Sequence, residues 1–386
     1  MEHLVNNRVR KIEISGIRKF FNLVADYEDV ISLTIGQPDF LTPEHVKHAA
    51  KEAIDQNRTT YTHNAGMAAL REAAASFVHK KYDMRYDPQD EVIATTGASE
   101  AIDITFRTIL EEGSEVILPG PVYPGYEPII RLCGGVPVHV DTRENGFKLT
   151  ADLIEAHLTD KTRAVVLPYP SNPTGCTLNE DELQAIADLL ADRELFVVSD
   201  EIYSELVFDC KHRSISTYEG MREKTIVING LSKSHAMTGW RIGFLFAPRE
   251  IAQHILKVHQ YNVTCVSSVT QYAAFEALTN GLNDAVTMKH EYLKRMNYVY
   301  KRLSFMGFDV EKPNGAFYIF PSIKQFEMSS FDFAIKLVRE AGLAVVPGDA
   351  FSEYGEGYVR ISFAYSMETL EKGLDRLKAF VQKHHS

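Results

Sequence analysis

Gly230-Leu231-Ser232-Lys233-Ser234-His235-Ala236-Met237-Thr238-Gly239-Trp240-Arg241-Ile242-Gly243 is the stretch on which the reading of this chain turns. The apolar run Thr225-Ile226-Val227-Ile228-Asn229 leads into it and predicts a buried strand. A single lysine is thereby delivered to the end of that element, among small residues, with Arg241 further along the same loop. A lysine held in a dry pocket beside another cation has its pKa lowered and becomes a nucleophile towards carbonyl groups. The plainer alternative is a surface lysine in an ordinary loop after a strand.

Outward from this loop, the chain reads as an α/β protein. Short apolar runs, Val92-Ile93-Ala94, Glu115-Val116-Ile117-Leu118, Ala164-Val165-Val166-Leu167 and Leu195-Phe196-Val197-Val198, alternate with amphipathic stretches. That pattern predicts a largely parallel sheet between helices. The helix between the last two strands is expected to begin after Thr177, with Glu180 completing a capping box and Leu183, Ile186 and Leu190 on one face. At 386 residues the chain exceeds the usual size of one hydrophobic core, so two domains are expected. The texture changes after about residue 285, where Gly315-Ala316-Phe317-Tyr318-Ile319-Phe320, a helix, Leu343-Ala344-Val345-Val346-Pro347, the strand Tyr358-Val359-Arg360-Ile361-Ser362-Phe363 and a closing helix follow. Residues 46–285 are read as the large α/β domain, and 1–45 with 286–386 as a smaller α+β domain. Gly36-Gln37-Pro38-Asp39-Phe40 reads as the loop joining an early strand to the main body.

Composition narrows the function classes. A net charge of −11 argues against nucleic acid or an anionic membrane as partner. Cys133, Cys176, Cys210 and Cys265 are scattered and form no C-x-x-C pair, so neither a disulfide framework nor a metal site is expected. No run approaches the roughly 18 apolar residues of a membrane span, and the first residues lack the apolar core of a signal peptide. A soluble cytoplasmic protein is the expectation.

Several other residues sit where chemistry is done. Asp200 ends the strand Phe196-Val197-Val198-Ser199, and ligands of open α/β sheets bind at the carboxyl ends of strands; a helix N-cap is the alternative use. Gly97-Ala98-Ser99 lies between a strand and a helix bearing Ile102, Phe106, Ile109 and Leu110, and unpaired N–H groups at such an N-terminus favour a phosphate. The planar fork of Arg241 suits the same phosphate oxygens. Arg360 lies in an alternating, half-buried strand and needs an anionic partner, either a structural ion pair or a ligand. Ser171-Asn172-Pro173-Thr174-Gly175 is good turn chemistry after an apolar strand.

The fourteen residues from Gly230 to Gly243 resemble the pyridoxal-phosphate attachment signature of class I and II aminotransferases, and the likeness extends from Gly36-Gln37-Pro38 to Val359-Arg360. It is nearest to the bacterial branch with aspartate, aromatic and N-acetyl-diaminopimelate aminotransferases and the proteins called aminotransferase A. This resemblance implies fold type I and a pyridoxal 5'-phosphate cofactor attached to Lys233. It implies that Asp200 pairs with the pyridine nitrogen, that Tyr203 and Asn172 contact the ring oxygen, and that Tyr123 stacks on the ring. Gly97, Ala98, Ser99 and Arg241 would hold the phosphate, with Tyr61 reaching it from the neighbouring subunit of a homodimer. Arg360, with Asn172 and the backbone of Gly36, would clamp the substrate α-carboxylate. Many relatives have a serine three residues before the lysine; here that position is Gly230, and Ser232 is the candidate replacement.

Lys233, Asp200 and Tyr203 would then carry a ping-pong transfer from an L-amino acid to a 2-oxo acid, 2-oxoglutarate by family habit. N-acetyl-LL-diaminopimelate, aspartate, glutamate and aromatic amino acids are the candidate donors, the first implying a place in lysine biosynthesis. Arg18, Lys19, Phe20 and Phe21, or His259, Gln260 and Tyr261, are candidates for reading the substrate side chain. The competing readings are a carbon–sulfur β-lyase on the same cofactor and a non-catalytic cofactor-binding regulator.

Overall fold

The computed structural model describes residues 1–24 and 27–384. Its centre is a seven-stranded sheet: β1 (Val92–Thr95), β2 (Glu115–Gly120), β3 (Val136–Asp141), β4 (Thr162–Leu167), β5 (Phe196–Asp200), β6 (Thr225–Gly230) and β7 (Gly243–Phe246). In space these run in the order β1-β7-β6-β5-β4-β2-β3. Every neighbouring pair is parallel except the two made by β7, which is antiparallel to both β1 and β6. The sequence expectation of an α/β fold with a mostly parallel sheet is met.

Strands β1, β6 and β7 are buried along their whole length, which accounts for their mainly apolar sequence. Helices supply the cover on both faces. Ile104, Phe106 and Ile109 of the Gly97–Ile109 helix pack on one side, and Leu183, Ile186 and Leu190 of the Glu180–Leu190 helix on the other.

One helix start differs from expectation. The cap of the Glu180–Leu190 helix is Asn179, not Thr177, and the capping box closes with Glu182, not Glu180. Thr177 and Leu178 are buried, which draws the chain inward and leaves Asn179 as the first residue whose side chain can turn back onto the helix. The Asn179 side chain accepts from the Glu182 amide at 2.8 Å, and the Glu182 carboxylate accepts from the Asn179 amide at 2.7 Å.

The C-terminal third forms its own core around Phe317, Phe333, Leu337, Phe363 and Leu374. A three-stranded antiparallel sheet joins Val346–Pro347, Val359–Ser362 and Tyr318–Ile319. The early strand Ile31–Ser32 pairs in parallel with Leu343–Ala344, and Phe20 is buried in the same core. The N-terminal segment therefore leaves this core at Leu33 and crosses to the large sheet by way of Gly36.

Candidate active site

All the parallel strands of the large sheet point their carboxyl ends at one rim, where a cavity of about 440 Å3 opens. The loops after β1, β2 and β4, the last residue of β5 and the turn after β6 contribute Ser99, Tyr123, Asn172, Asp200 and Lys233 to its wall. The antiparallel strand β7 reaches the rim with its amino end, so its contribution, Arg241, comes just before the strand. The second core completes the wall with Gly36, Tyr318 and Arg360.

Lys233 sits on the short helix Leu231–Ser234 that follows β6. Its Nζ donates to the Gly36 carbonyl oxygen at 2.6 Å and lies 5.6 Å from the Tyr203 ring centroid and 5.7 Å from that of Phe317. Burial, then the nearby cations Arg360 and Arg241, bring its pKa from 10.5 down to about 8, against the opposing pull of Asp200. The fold thus sets Lys233, half-buried, on the cavity wall with a lowered pKa.

Asp200 is buried at the end of β5. Its Oδ2 accepts from the Tyr126 hydroxyl at 2.6 Å, and its Oδ1 accepts from the Ile202 amide at 3.2 Å. Burial raises its pKa above the usual aspartate value, and the two hydrogen bonds offset this only in part. Tyr126, fully buried and three residues after Tyr123, is a part of the site that no sequence pattern marks. Tyr123 stands edge-on to Tyr126, with ring centroids 5.7 Å apart.

Arg360 is 2% exposed. Its Nη1 donates to Asn172 Oδ1 at 2.9 Å and its Nη2 to the Thr34 carbonyl oxygen at 2.6 Å, while Nε has no partner. The guanidinium lies 4.4 Å from the Tyr318 ring centroid and 5.0 Å from that of Phe351. Among the described residues no carboxylate pairs with it, which removes the structural ion pair as an account of this buried charge. The backbone partner of the guanidinium is Thr34, while Gly36 is engaged with Lys233.

At the amino end of the Gly97–Ile109 helix, Thr96 supplies no side-chain cap, so the first-turn amides keep the free N–H groups that every helix start has. Gly97 adopts φ +76, and a Cβ there would stand 2.5 Å from Arg241 Nη2. Glycine is what lets the guanidinium meet the helix N-terminus. Ala98, Ser99 and Ser232 line the cavity at this end. At Gly230 a Cβ would lie 3.0 Å from the Ile242 carbonyl oxygen and 3.1 Å from Gly243 Cα, so a side chain there would need its neighbours to shift by a few tenths of an ångström.

Of the candidate cofactor residues, Gly97, tucked against Arg241, and Tyr61 do not line the cavity of their own chain. Tyr61 is 85% exposed. Of the candidates for reading a side chain, Phe21 lies on the cavity wall beside Ile17. Phe20 belongs to the second core, and Lys19 pairs with Glu13 at 2.5 Å. His259 is fully buried between Glu100 and the Asn64 carbonyl, 2.9 Å from each, so it reads no substrate. Tyr261 is 89% exposed. Among the described residues no His, Cys, Asp and Glu cluster suits a metal ion, and no helix is long and apolar enough to cross a membrane.

A parallel sheet with one reversed strand, carrying a half-buried lysine and a buried aspartate at one rim and facing an arginine without a carboxylate partner from a second core, defines a class of group-transfer enzymes. The chain belongs to the class I and II aminotransferase family, whose sequence profile matches residues 28–377, and it is an enzyme that transfers amino groups. It is 67% identical over 383 residues to the probable N-acetyl-LL-diaminopimelate aminotransferase of Bacillus subtilis (strain 168), covering 99% of this chain and 97% of that one. Among solved structures, the aspartate aminotransferase from Thermus thermophilus with maleate superposes with a TM-score of 0.92 at 35% identity, covering 97% of this chain and 99% of that chain. The aromatic aminotransferase from Pyrococcus horikoshii OT3 does so with a TM-score of 0.90 at 42% identity, covering 95% and 99%.

Proposed function

We propose that this enzyme is a pyridoxal-phosphate-dependent aminotransferase whose amino donor is N-acetyl-LL-diaminopimelate and whose acceptor is a 2-oxo acid such as 2-oxoglutarate. The observation that carries the reading is the buried, carboxylate-free Arg360 across the cavity from a lysine whose pKa is about 8. The choice of donor rests on the name of the 67% identical relative and would place the enzyme in lysine biosynthesis.

The residues present fit the cofactor. Gly97 and Arg241 form a cradle that a Cβ would fill, with the free amides of a helix start beside it. Gly97, Ala98, Ser99, Ser232 and Arg241 would hold the phosphate, Tyr123 would cover the ring, and Asp200 would face the ring nitrogen. When bound, the cofactor supplies an aldehyde carbon for amines and a ring that takes up an electron pair. Asp200, whose pKa burial raises and the Tyr126 and Ile202 hydrogen bonds draw back in part, would favour the protonated form of that nitrogen. Tyr203, whose hydroxyl burial keeps protonated, would donate to the ring oxygen, with Asn172 sharing that task. Arg360 and Asn172 fix the substrate α-carboxylate, and Lys233 Nζ, neutral in a useful fraction near pH 7, takes the α-proton and returns it.

Tyr61 fits a role only if a second copy of the chain presents it to the neighbour's phosphate, so we propose a homodimer. The exposed apolar side chains Leu4, Val5 and Val9 are consistent with a covered N-terminal surface. Sedimentation at the mass of two chains is expected, and an active monomer would overturn this part. We also propose the division into a large domain, residues 46–285, and a small one, 1–45 with 286–386, and a cytoplasmic location, in keeping with four free cysteines.

Absorbance of the holoenzyme, followed as single amino-acid donors are added without acceptor, tests the reading. Loss of the visible band with release of a 2-oxo acid is expected, N-acetyl-LL-diaminopimelate acting at the lowest concentration. Persistence of the band with pyruvate and ammonia appearing would assign a β-lyase. A protein that develops no visible band with pyridoxal phosphate would refute the proposal.

A further inference from the structure

Tyr203 is not alone behind the cavity. Its hydroxyl is 2.9 Å from that of Tyr318, a side chain 1% exposed that comes from the second core. Three features of the site converge on Tyr318. Its oxygen contacts Tyr203, and its ring carries the Arg360 guanidinium at 4.4 Å. The backbone of Gly36, whose carbonyl holds Lys233, comes so close that a Cβ there would stand 2.7 Å from the Tyr318 oxygen.

We propose that Tyr318 is a positioning residue that donates its proton to the Tyr203 oxygen, so that the single proton of Tyr203 is directed into the cavity. The inference rests on the cofactor reading of Tyr203 given above. Its warrant is hydrogen-bond accounting. A phenol has one proton to give, and its oxygen can also accept. Burial holds both phenols protonated. If Tyr203 gave its proton to Tyr318, Tyr203 would have none left to point at the ring oxygen. The reverse direction satisfies both groups and leaves the donor where the reaction uses it. Because the same Tyr318 ring supports Arg360, the side of the site that binds the carboxylate and the side that tunes the ring share one rigid side chain.

The pH titration of the holoenzyme's visible band reads this directly. Donation to the ring oxygen favours its anionic form and lowers the proton affinity of the neighbouring nitrogen, so weaker donation raises the titration midpoint. Tyr318→Phe, which keeps the ring and the Arg360 contact, is expected to raise the midpoint by about half to one pH unit. Tyr203→Phe should raise it at least as much, and the double variant no further than Tyr203→Phe alone, since one residue acts through the other. Gly36→Ala, which removes no functional group but pushes on the Tyr318 hydroxyl, should move the midpoint in the same direction.

A Tyr318→Phe midpoint unchanged while that of Tyr203→Phe shifts overturns the relay and leaves the role of Tyr203 intact. Additive shifts in the double variant also overturn it. Unshifted midpoints in both single variants overturn the reading of Tyr203 and the relay with it.

Discussion

Replacing Arg360 with Met tests whether the chemistry of Lys233 is set by its surroundings. Burial is the larger cause of the depressed lysine pKa, and the Arg360 charge is the next. A neighbouring charge of this kind moves a pKa by about one unit or more. At pH 7 an amine with a pKa of about 8 is about 9% neutral, against about 0.03% for an ordinary lysine, a gain of roughly 300-fold. Without Arg360 the value should rise to about 9, leaving about 1% neutral at pH 7, while at pH 10 both proteins are almost wholly neutral. Stopped-flow growth of the visible band, on mixing cofactor-free protein with pyridoxal phosphate, measures the capture rate. The variant should be about tenfold slower at pH 7 and within about twofold at pH 10, its rate–pH midpoint displaced upward. An unchanged midpoint, or a loss equal at every pH, would refute the electrostatic account.

Gly97→Ala would force a side chain into a φ +76 conformation and against Arg241; cofactor retention, measured by equilibrium dialysis, should weaken about tenfold or more, and tight retention would show that the cradle is not where phosphate binds. Arg360→Lys keeps the charge but loses the planar fork, so KM for the amino donor should rise about ten- to a hundredfold with kcat less affected. A KM like that of the parent enzyme would count against the carboxylate clamp. In Tyr126→Phe, Asp200 loses a hydrogen bond that lowers its pKa. Its ionised form is then lost sooner as pH falls, and the acid limb of kcat/KM should move to higher pH. An unmoved acid limb would mean that Tyr126 does not tune Asp200.

The residues legible from sequence are those whose chemistry is unusual for their place: a lysine after an apolar strand, an aspartate ending one, an arginine inside one. Physical cost flags each of them, because a buried ionisable group needs a reason. Tyr126 and Tyr318 carry no such flag. An aromatic among apolar neighbours is ordinary core, and only the tertiary fold shows where its hydroxyl points. His259 misleads in the opposite sense, since its partner Glu100 is 159 residues away in sequence and no local pattern marks the pair. The misplaced helix cap has a local cause. Thr177 and Asn179 each precede a glutamate at capping-box spacing, and the burial of Thr177 and Leu178 decides between them.

The hydrogen bond from Arg360 to the Thr34 carbonyl joins residues 326 positions apart. On a ribosome adding roughly 5–20 residues per second, Arg360 follows Thr34 by about 15–65 s. For the last 127 residues of that interval (360 − 233), about 6–25 s, Lys233, Asp200 and the helix start at Gly97 are already on the nascent chain and Arg360 is not. On the proposed reading, a prematurely ended chain would carry the groups that hold the cofactor without the one that grips the substrate carboxylate, and the carboxylate contact is the last of these parts to be synthesised.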